Sequence, residues 1–429
     1  MTTELRQTIT LWRGLGLAVT MVVGSGLLGL PGIALQEGGT QSAALGWVLT
    51  SAAMAPLVYV FATLGRRFTS AAGLSRYVQE GIGEWAGDAV IVVLCGSFAI
   101  GIPGLALIGG AYGRELLDTG EASIWLFALV ILGSMTALNL LGVRTAGTVN
   151  VAAIVALVGL VVAIVLARLG DFGSGVAVLG DAVSGTSAVT YSDVWRVSAL
   201  LVWVFIGWEN LSFGLEEFVD PDRNIPRVYW LSYALVVGVY LALAFTAIGA
   251  TEAGLNVGGA SGVSALVEDF PFESVIVAVM VLIIVANASA WVFGASRLIF
   301  AAGRDGILPS YLSMLDKSGV PWASLISLFA LYAVLTMASG LGWLSLSTII
   351  LLISQNFILL YLLTIFAYWK IESGWRRWVV TFGVLVSCGF LLSGFGILAL
   401  YTVSLFTLGC LRYLWRTRRT RRRTAMAAR

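Results

Sequence analysis

The sequence predicts an all-α membrane protein: a 5+5 inverted repeat of about twelve transmembrane helices, with the first and sixth helices discontinuous. Three observations carry that prediction. Apolar residues come in blocks near the ~20 residues a helix needs to cross a bilayer. Charges fall almost entirely between the blocks, and helix breakers interrupt the first and sixth blocks at comparable depth.

The 429 residues are 59% hydrophobic and 11% charged, whereas soluble domains carry about a quarter charged residues. A soluble domain is therefore excluded. The 50 glycines agree, because small residues let membrane helices approach closely. There is no histidine, and Cys95, Cys388 and Cys410 lie far apart inside apolar blocks. Metal sites and histidine relays are excluded, no cofactor is expected, and the cysteines read as packing residues.

Spans are expected over about Leu11–Leu35, Ala43–Leu64, Ala89–Tyr112, Ile124–Leu141, Ala146–Leu166, Val194–Phe218, Val228–Ile248, Ser274–Ala302, Ala323–Ala338 and Leu344–Tyr368. The stretch Trp378–Trp415 is long enough for two more, turning near Gly394 and Gly396. The organisation read from these is 1–169 as the first repeat, 170–373 as the second, 374–415 as two added helices and 416–429 as a basic tail. The connections are short, apart from a loop of about Gly170–Asp193 and a segment holding an amphipathic stretch, Ser75–Trp85.

With the N-terminus inside, all 25 basic residues except Arg114, Arg168 and Arg196 fall on the inner side, while Asp171, Asp181, Glu252, Glu268 and Asp269 fall outside. That bias predicts a multi-pass protein of a bacterial-type inner membrane with both termini cytoplasmic. The arginine-rich tail is expected against anionic lipid headgroups, and nucleic acid is a poor partner for a segment tethered there.

Gly24-Ser25-Gly26 with Pro31 puts breakers in the middle of span one. Span six carries Gly207 and, beside it, the one mid-span carboxylate, Glu209. Breaking a helix at hydrocarbon depth frees backbone N–H and C=O groups, and leaving them unpaired costs several kcal/mol unless a cavity or ligand satisfies them. Inverted halves bring the two breaks together near the midplane. There the start of the outer half-helix, near Gly26 and Leu27, would offer N–H groups and positive dipole to a carboxylate, and carbonyls around Phe205 and Ile206 would accept from an ammonium. A zwitterion suits both ends. Packing by small residues is the competing explanation of the first break, and a protonated, hydrogen-bonded acid that of Glu209.

At these residues the chain resembles the amino acid–polyamine–organocation superfamily. The likeness rests on GSGLLGLPG at Gly24–Gly32, FIGWENLSFGLEEFVDPDRNIPR at Phe205–Arg227 and ASRLIFAAGRDGILP at Ala295–Pro309, in the expected order. It implies a LeuT-like fold and, in the branch of bacterial methionine and branched-chain amino acid exporters, a carrier of small neutral amino acids. Resemblance to arginine–agmatine antiporters implies a gating role for Trp203, proton sensitivity for Glu209 and a pocket position for Trp291. The third span departs from those antiporters: Ile91–Leu107 offers only Cys95 and Ser97 as polar side chains, which favours an apolar substrate. The lysine that some proton-coupled relatives carry in the fifth span is absent from Ala146–Leu166.

The expected mechanism is alternating access in a secondary transporter that is not an enzyme. Gly24, Ser25, Gly26 and Leu27 would take the carboxylate; Phe205, Ile206 and Gly207 form the second break; Trp203, Trp208 and Trp291 would wall the side chain. Glu209 is the candidate proton-coupling acid, and Asn287 with Ser289 a weaker candidate cation site for sodium. Interfacial anchoring competes as the role of each tryptophan. Ser354, Gln355, Asn356 and Tyr361 on span ten would line a gate or make interhelical hydrogen bonds, and Arg297, Arg304 and Asp305 would form an inner gate or simply anchor. A polyamine or cationic amino acid antiporter is the main rival, with a channel or membrane enzyme behind it. Which amino acid, which direction, and which oligomer stay open at this level.

Overall fold

The computed structural model describes residues 9–69, 73–141, 143–186, 188–304, 306, 308–317, 319–392 and 396–427. Arg6 and Asp305 lie outside these, as do the side chains of Arg144, Glu217 and the arginines from Arg418 onward.

The expected all-helical membrane architecture is what the chain forms, in the order α1 Leu11–Val22, α2 Ser25–Arg67, α3 Gly73–Gly81, α4 Glu84–Leu116, α5 Ile124–Leu140, α6 Val143–Ala167, α7 Leu169–Ser184, α8 Tyr191–Leu201, α9 Trp208–Leu211, α10 Pro221–Glu252, α11 Glu273–Arg304, α12 Trp322–Gly340, α13 Leu346–Ile371, α14 Trp375–Leu392 and α15 Ala399–Ala427. Among the described residues, eight helices are long and apolar enough to cross a membrane, with the bent pair α6–α7 as a ninth. The shorter apolar helices α1 and α5 join them. The 43-residue α2 holds the rest of span one and all of span two, divided at Gly39, whose φ of 70° and ψ of −178° leave the helical region.

Both predicted discontinuities are present. Span one is cut at Val23 and Gly24 between α1 and α2. Span six runs through α8 and the 3-10 turn Val202–Phe205, is cut at Ile206 and Gly207, and resumes in α9 and the 3-10 turn Ser212–Glu217.

One expectation needs correction. The stretch 170–193 was expected to be loop, yet α7 fills most of it, bent by 85° from α6. Its helix follows from close backbone docking on α10: a Cβ at Gly249 would collide with the Asp171 carbonyl, and one at Gly175 with the Phe245 carbonyl. Glycine is scarce in soluble helices because it loses entropy on folding, but here it is what permits contact. Span seven also starts earlier than expected, because Asp220 in the left-handed region (φ 48°) and Pro221 at the first helical position launch α10 at once.

Charge sorts the two ends of the bundle. One face is basic, with Arg66, Arg67, Arg76 and Arg416 paired to Asp222, Glu372, Glu80 and Asp88. The opposite face carries pairs built on Arg114, Arg168 and Arg196. There the segment around Gly262–Val267 is tied down three ways: Gly259 N–H donates to Gly32 O at 3.1 Å, Ser261 Oγ to Glu115 Oε2 at 2.8 Å, and Arg168 Nε to Leu266 O at 2.6 Å.

Candidate functional site

The two breaks lie against each other in the core. A Cβ on Gly207 would lie 2.8 Å from Val22 Cα, and one on Gly26 would sit 3.2 Å from Val204 Cγ1 and 3.6 Å from its Cα, so the two breaks are packed closely against each other. Gly207 has φ 151°, a conformation L side chains rarely adopt, so the second break needs glycine for its dihedral as well as its space.

Breaking the helices frees carbonyls, and a residue that sequence reasoning did not single out brings one donor within reach of two of them. The Tyr240 hydroxyl on α10 lies 2.9 Å from Val22 O and 2.7 Å from Val204 O, fully buried, and bridges both breaks. Two further buried tyrosines do similar work: Tyr112 donates to Leu28 O at 2.8 Å and Tyr229 to Trp208 O at 3.2 Å. A tyrosine in an apolar span looks like packing until the carbonyls within its reach are known.

At the first break, the start of α2 has Gly24 at its N-cap and hence no side-chain oxygen of its own to cap it. The amide of Asn287, from α11, lies where a Gly24 side chain would be. Its Oδ1 accepts from Ser25 N–H at 3.2 Å and from Ser25 Oγ at 3.3 Å. Ser289 is elsewhere: Asn139 Nδ2 on α5 donates to both its carbonyl and its hydroxyl at 3.0 Å. The pairing of Asn287 with Ser289 in one cation site is therefore not what the side chains form, because two helical positions two apart point to different neighbours.

Beside the second break is a cavity of about 30 Å³ lined by Ser97, Phe98, Gly101, Ile102 and Leu105 of α4, Trp203 and Ile206 of span six, Trp291 of α11, and Ile353 and Phe357 of α13. The sequence-derived Trp203, Ile206 and Trp291 meet there. Ser97 supplies the one polar side chain, and its hydroxyl is already bonded to Val93 O at 2.8 Å. The Trp203 ring is seated on Gly104, where a Cβ would fall 2.6 Å from Cη2; Trp291 packs on Phe98 with centroids 5.9 Å apart. Such a volume holds little more than one water, so a larger solute requires these rings to move.

Trp208 and Phe205 are not among the lining residues of this cavity. The Trp208 indole donates to Ser232 Oγ on α10 at 3.2 Å and stacks with Phe205 at 6.1 Å; Phe205 in turn meets Tyr240 edge-on at 5.3 Å. The non-helical dihedrals of Gly207 (φ 151°, ψ −29°) immediately precede Trp208 and set the direction of its ring. Gly24, Ser25, Gly26 and Leu27 are buried and also lie outside the cavity lining.

Glu209 is 1% exposed. Tyr361 of α13 donates to its Oε2 at 3.1 Å, while Oε1 is buried without a hydrogen-bond partner among the described residues. Phe61 backs the arrangement, stacked on Tyr229 at 6.5 Å and edge-on to Tyr361 at 5.8 Å. Of the other polar residues on α13, Asn356 accepts from Thr402 Oγ1 of α15 at 2.7 Å, whereas Ser354 Oγ and both amide atoms of Gln355 are buried without partners among the described residues. Arg297 lies over the Phe293 ring at 3.4 Å and donates to Ser296 Oγ, an anchoring arrangement on its own helix.

On the face opposite the basic one, a vestibule of about 640 Å³ is lined by Gln36, Arg114, Glu121, Asn256 and Ser261 among others. It shares no lining residue with the small cavity, so the two are separate compartments in this conformation. At the rim Glu37, at the end of the first span, pairs with Arg196 of α8 at 2.8 Å and accepts from Ser347 of α13 at 2.5 Å.

A LeuT-like bundle with two apposed helix breaks defines a membrane solute transporter rather than an enzyme. The chain belongs to the amino acid permease family, whose model matches residues 9–411. It is 28% identical to an uncharacterized amino acid permease of Bacillus subtilis, YecA, over 95% of both chains. It is 24% identical to the L-methionine/branched-chain amino acid exporter YjeH of Escherichia coli, over 93% of this chain and 94% of that one. Among solved structures it superposes on MhsT in complex with L-phenylalanine with a TM-score of 0.60 at 14% identity, covering 92% of this chain and 98% of that one.

Proposed function

We propose that this permease carries small neutral, apolar amino acids such as methionine and the branched-chain series by alternating access, with the basic face in the cytoplasm and residues 1–169 and 170–373 acting as the two inverted halves. The observation that carries the reading is the chemistry of the small cavity. Its lining has no charged side chain and a single hydroxyl, whose oxygen can accept one hydrogen bond, so most of the N–H donors of a guanidinium or a second ammonium would be desolvated there without an acceptor. The adjoining breaks supply the complementary groups for a zwitterion's two charged ends. The name of the Escherichia coli relative supports the same substrate class and suggests export.

Glu209 is the candidate site for a coupled proton: an almost fully buried carboxyl beside the second break, with one oxygen held and the other unpartnered. Counterflow in proteoliposomes with methionine, leucine and arginine, at two pH values and with and without sodium, tests the whole reading. Exchange of methionine and leucine but not arginine is expected, dependent on pH and indifferent to sodium. Preferential exchange of arginine or a polyamine would replace it with the cationic-antiporter reading.

A further inference from the structure

The start of α2 is the end of span one to which the proposed function brings a substrate carboxylate, and an acceptor oxygen already sits there. Asn287 comes from a helix 262 residues away in sequence, is 6% exposed, and places Oδ1 within reach of both Ser25 donors. Gly24 is the reason it fits, since any side chain at that position would occupy the same volume as the carboxamide. We propose that the Asn287 carboxamide is a built-in stand-in for the substrate's carboxylate, which must displace it from Ser25 in order to bind.

Distances decide the direction of the exchange. At 3.2 and 3.3 Å, both contacts are long for hydrogen bonds, whose N–H···O mode is about 2.9–3.0 Å. A carboxylate on the same donors makes charge-assisted bonds of about 2.7–2.9 Å and roughly twice the strength, and it gains from the helix dipole where a neutral amide gains little. The amide thus keeps the two donors satisfied between transport events, when leaving them bare in the core would be costly, yet yields to an anion. It also acts as a filter: a ligand with a neutral amide in place of the carboxylate offers Ser25 no stronger acceptor than the one it would displace.

This inference rests on the first break being the carboxylate seat, and the test separates the two. Binding of leucine and of leucinamide, which lacks the carboxylate, is measured on the purified full-length protein by calorimetry, with thermal unfolding as the control for folding. Wild type is expected to prefer leucine. Asn287→Ala removes the competitor and is expected to bind leucine about three-fold tighter or more, with leucinamide gaining less than leucine. Asn287→Asp keeps an acceptor on Ser25 but charges it, and is expected to bind leucine more than about ten-fold more weakly while leucinamide does not weaken. Should the alanine variant fail to fold, the aspartate variant decides alone. Unchanged or weaker leucine binding by a folded Asn287→Ala, unchanged binding by Asn287→Asp, or sodium-dependent binding by Asn287→Asp would each overturn the stand-in role. Wild type that binds leucinamide as well as leucine, or binds neither, would instead remove the carboxylate seat itself.

Discussion

At the scale of single residues, the site is organised by side chains that hold broken backbone in place. Tyr240 places one hydroxyl proton between carbonyls of both discontinuities. Tyr240→Phe removes the donor that these two buried acceptors share, which costs about 1–3 kcal/mol; a lower thermal midpoint in detergent together with slower transport is the expected result. For Glu209, substitution by Gln keeps an acceptor for Tyr361 but removes the ionisable group, so transport by Glu209→Gln in proteoliposomes is expected to lose its pH dependence. A pH profile matching wild type would confine Glu209 to a structural role. The glycines and Glu209 were legible in the sequence because breakers and an acid at membrane depth are costly and so conspicuous. Tyr240 was not, because its role depends on carbonyls freed more than 30 residues away, and the orientation of Trp208 was not, because one unusual dihedral at Gly207 sets it.

At the scale of elements, the spans were readable from the lengths of apolar blocks, and the breaks from Gly and Pro within them. What hydropathy missed was α7, since a glycine-rich run between two spans reads as loop unless the facing helix also bears glycine at the contact point. Gly249→Ala tests that docking: its Cβ would be driven into the Asp171 carbonyl, and overpacking of this kind costs about 1–3 kcal/mol. A fall in the unfolding temperature is expected, whereas Gly238→Ala on the same helix, with open space around it, should leave the temperature unchanged. Charges at the rim act differently. Arg196 is half exposed, so its pair with Glu37 contributes only about 0–1 kcal/mol to stability. The upper half of that range shifts an equilibrium between two conformations about two- to five-fold. In a background with Cys95, Cys388 and Cys410 replaced by serine, Arg196→Ala is therefore expected to speed labelling of Ser97→Cys by a water-soluble thiol reagent about two- to five-fold. An unaltered rate would leave the rim pair without a gating role.

At the scale of the whole molecule, ion pairs gather in two groups, one built on Arg66, Arg67, Arg76 and Arg416 and one on Arg114, Arg168 and Arg196. The vestibule on one face and the small cavity by the breaks share no lining residue. On the basic face, Val219 N–H donates to Ile9 O at 3.0 Å, Ile9 and Phe218 form a parallel bridge, and Gly14 leaves room for the Phe218 ring. A short staple of this kind ties the two interrupted spans together beyond their breaks, so under the proposed alternating access these limbs would move as one. Joining Ile9 to Val219 by an engineered cross-link should therefore cost the carrier nothing, while joining Glu37 to Ser347 at the opposite rim should arrest it.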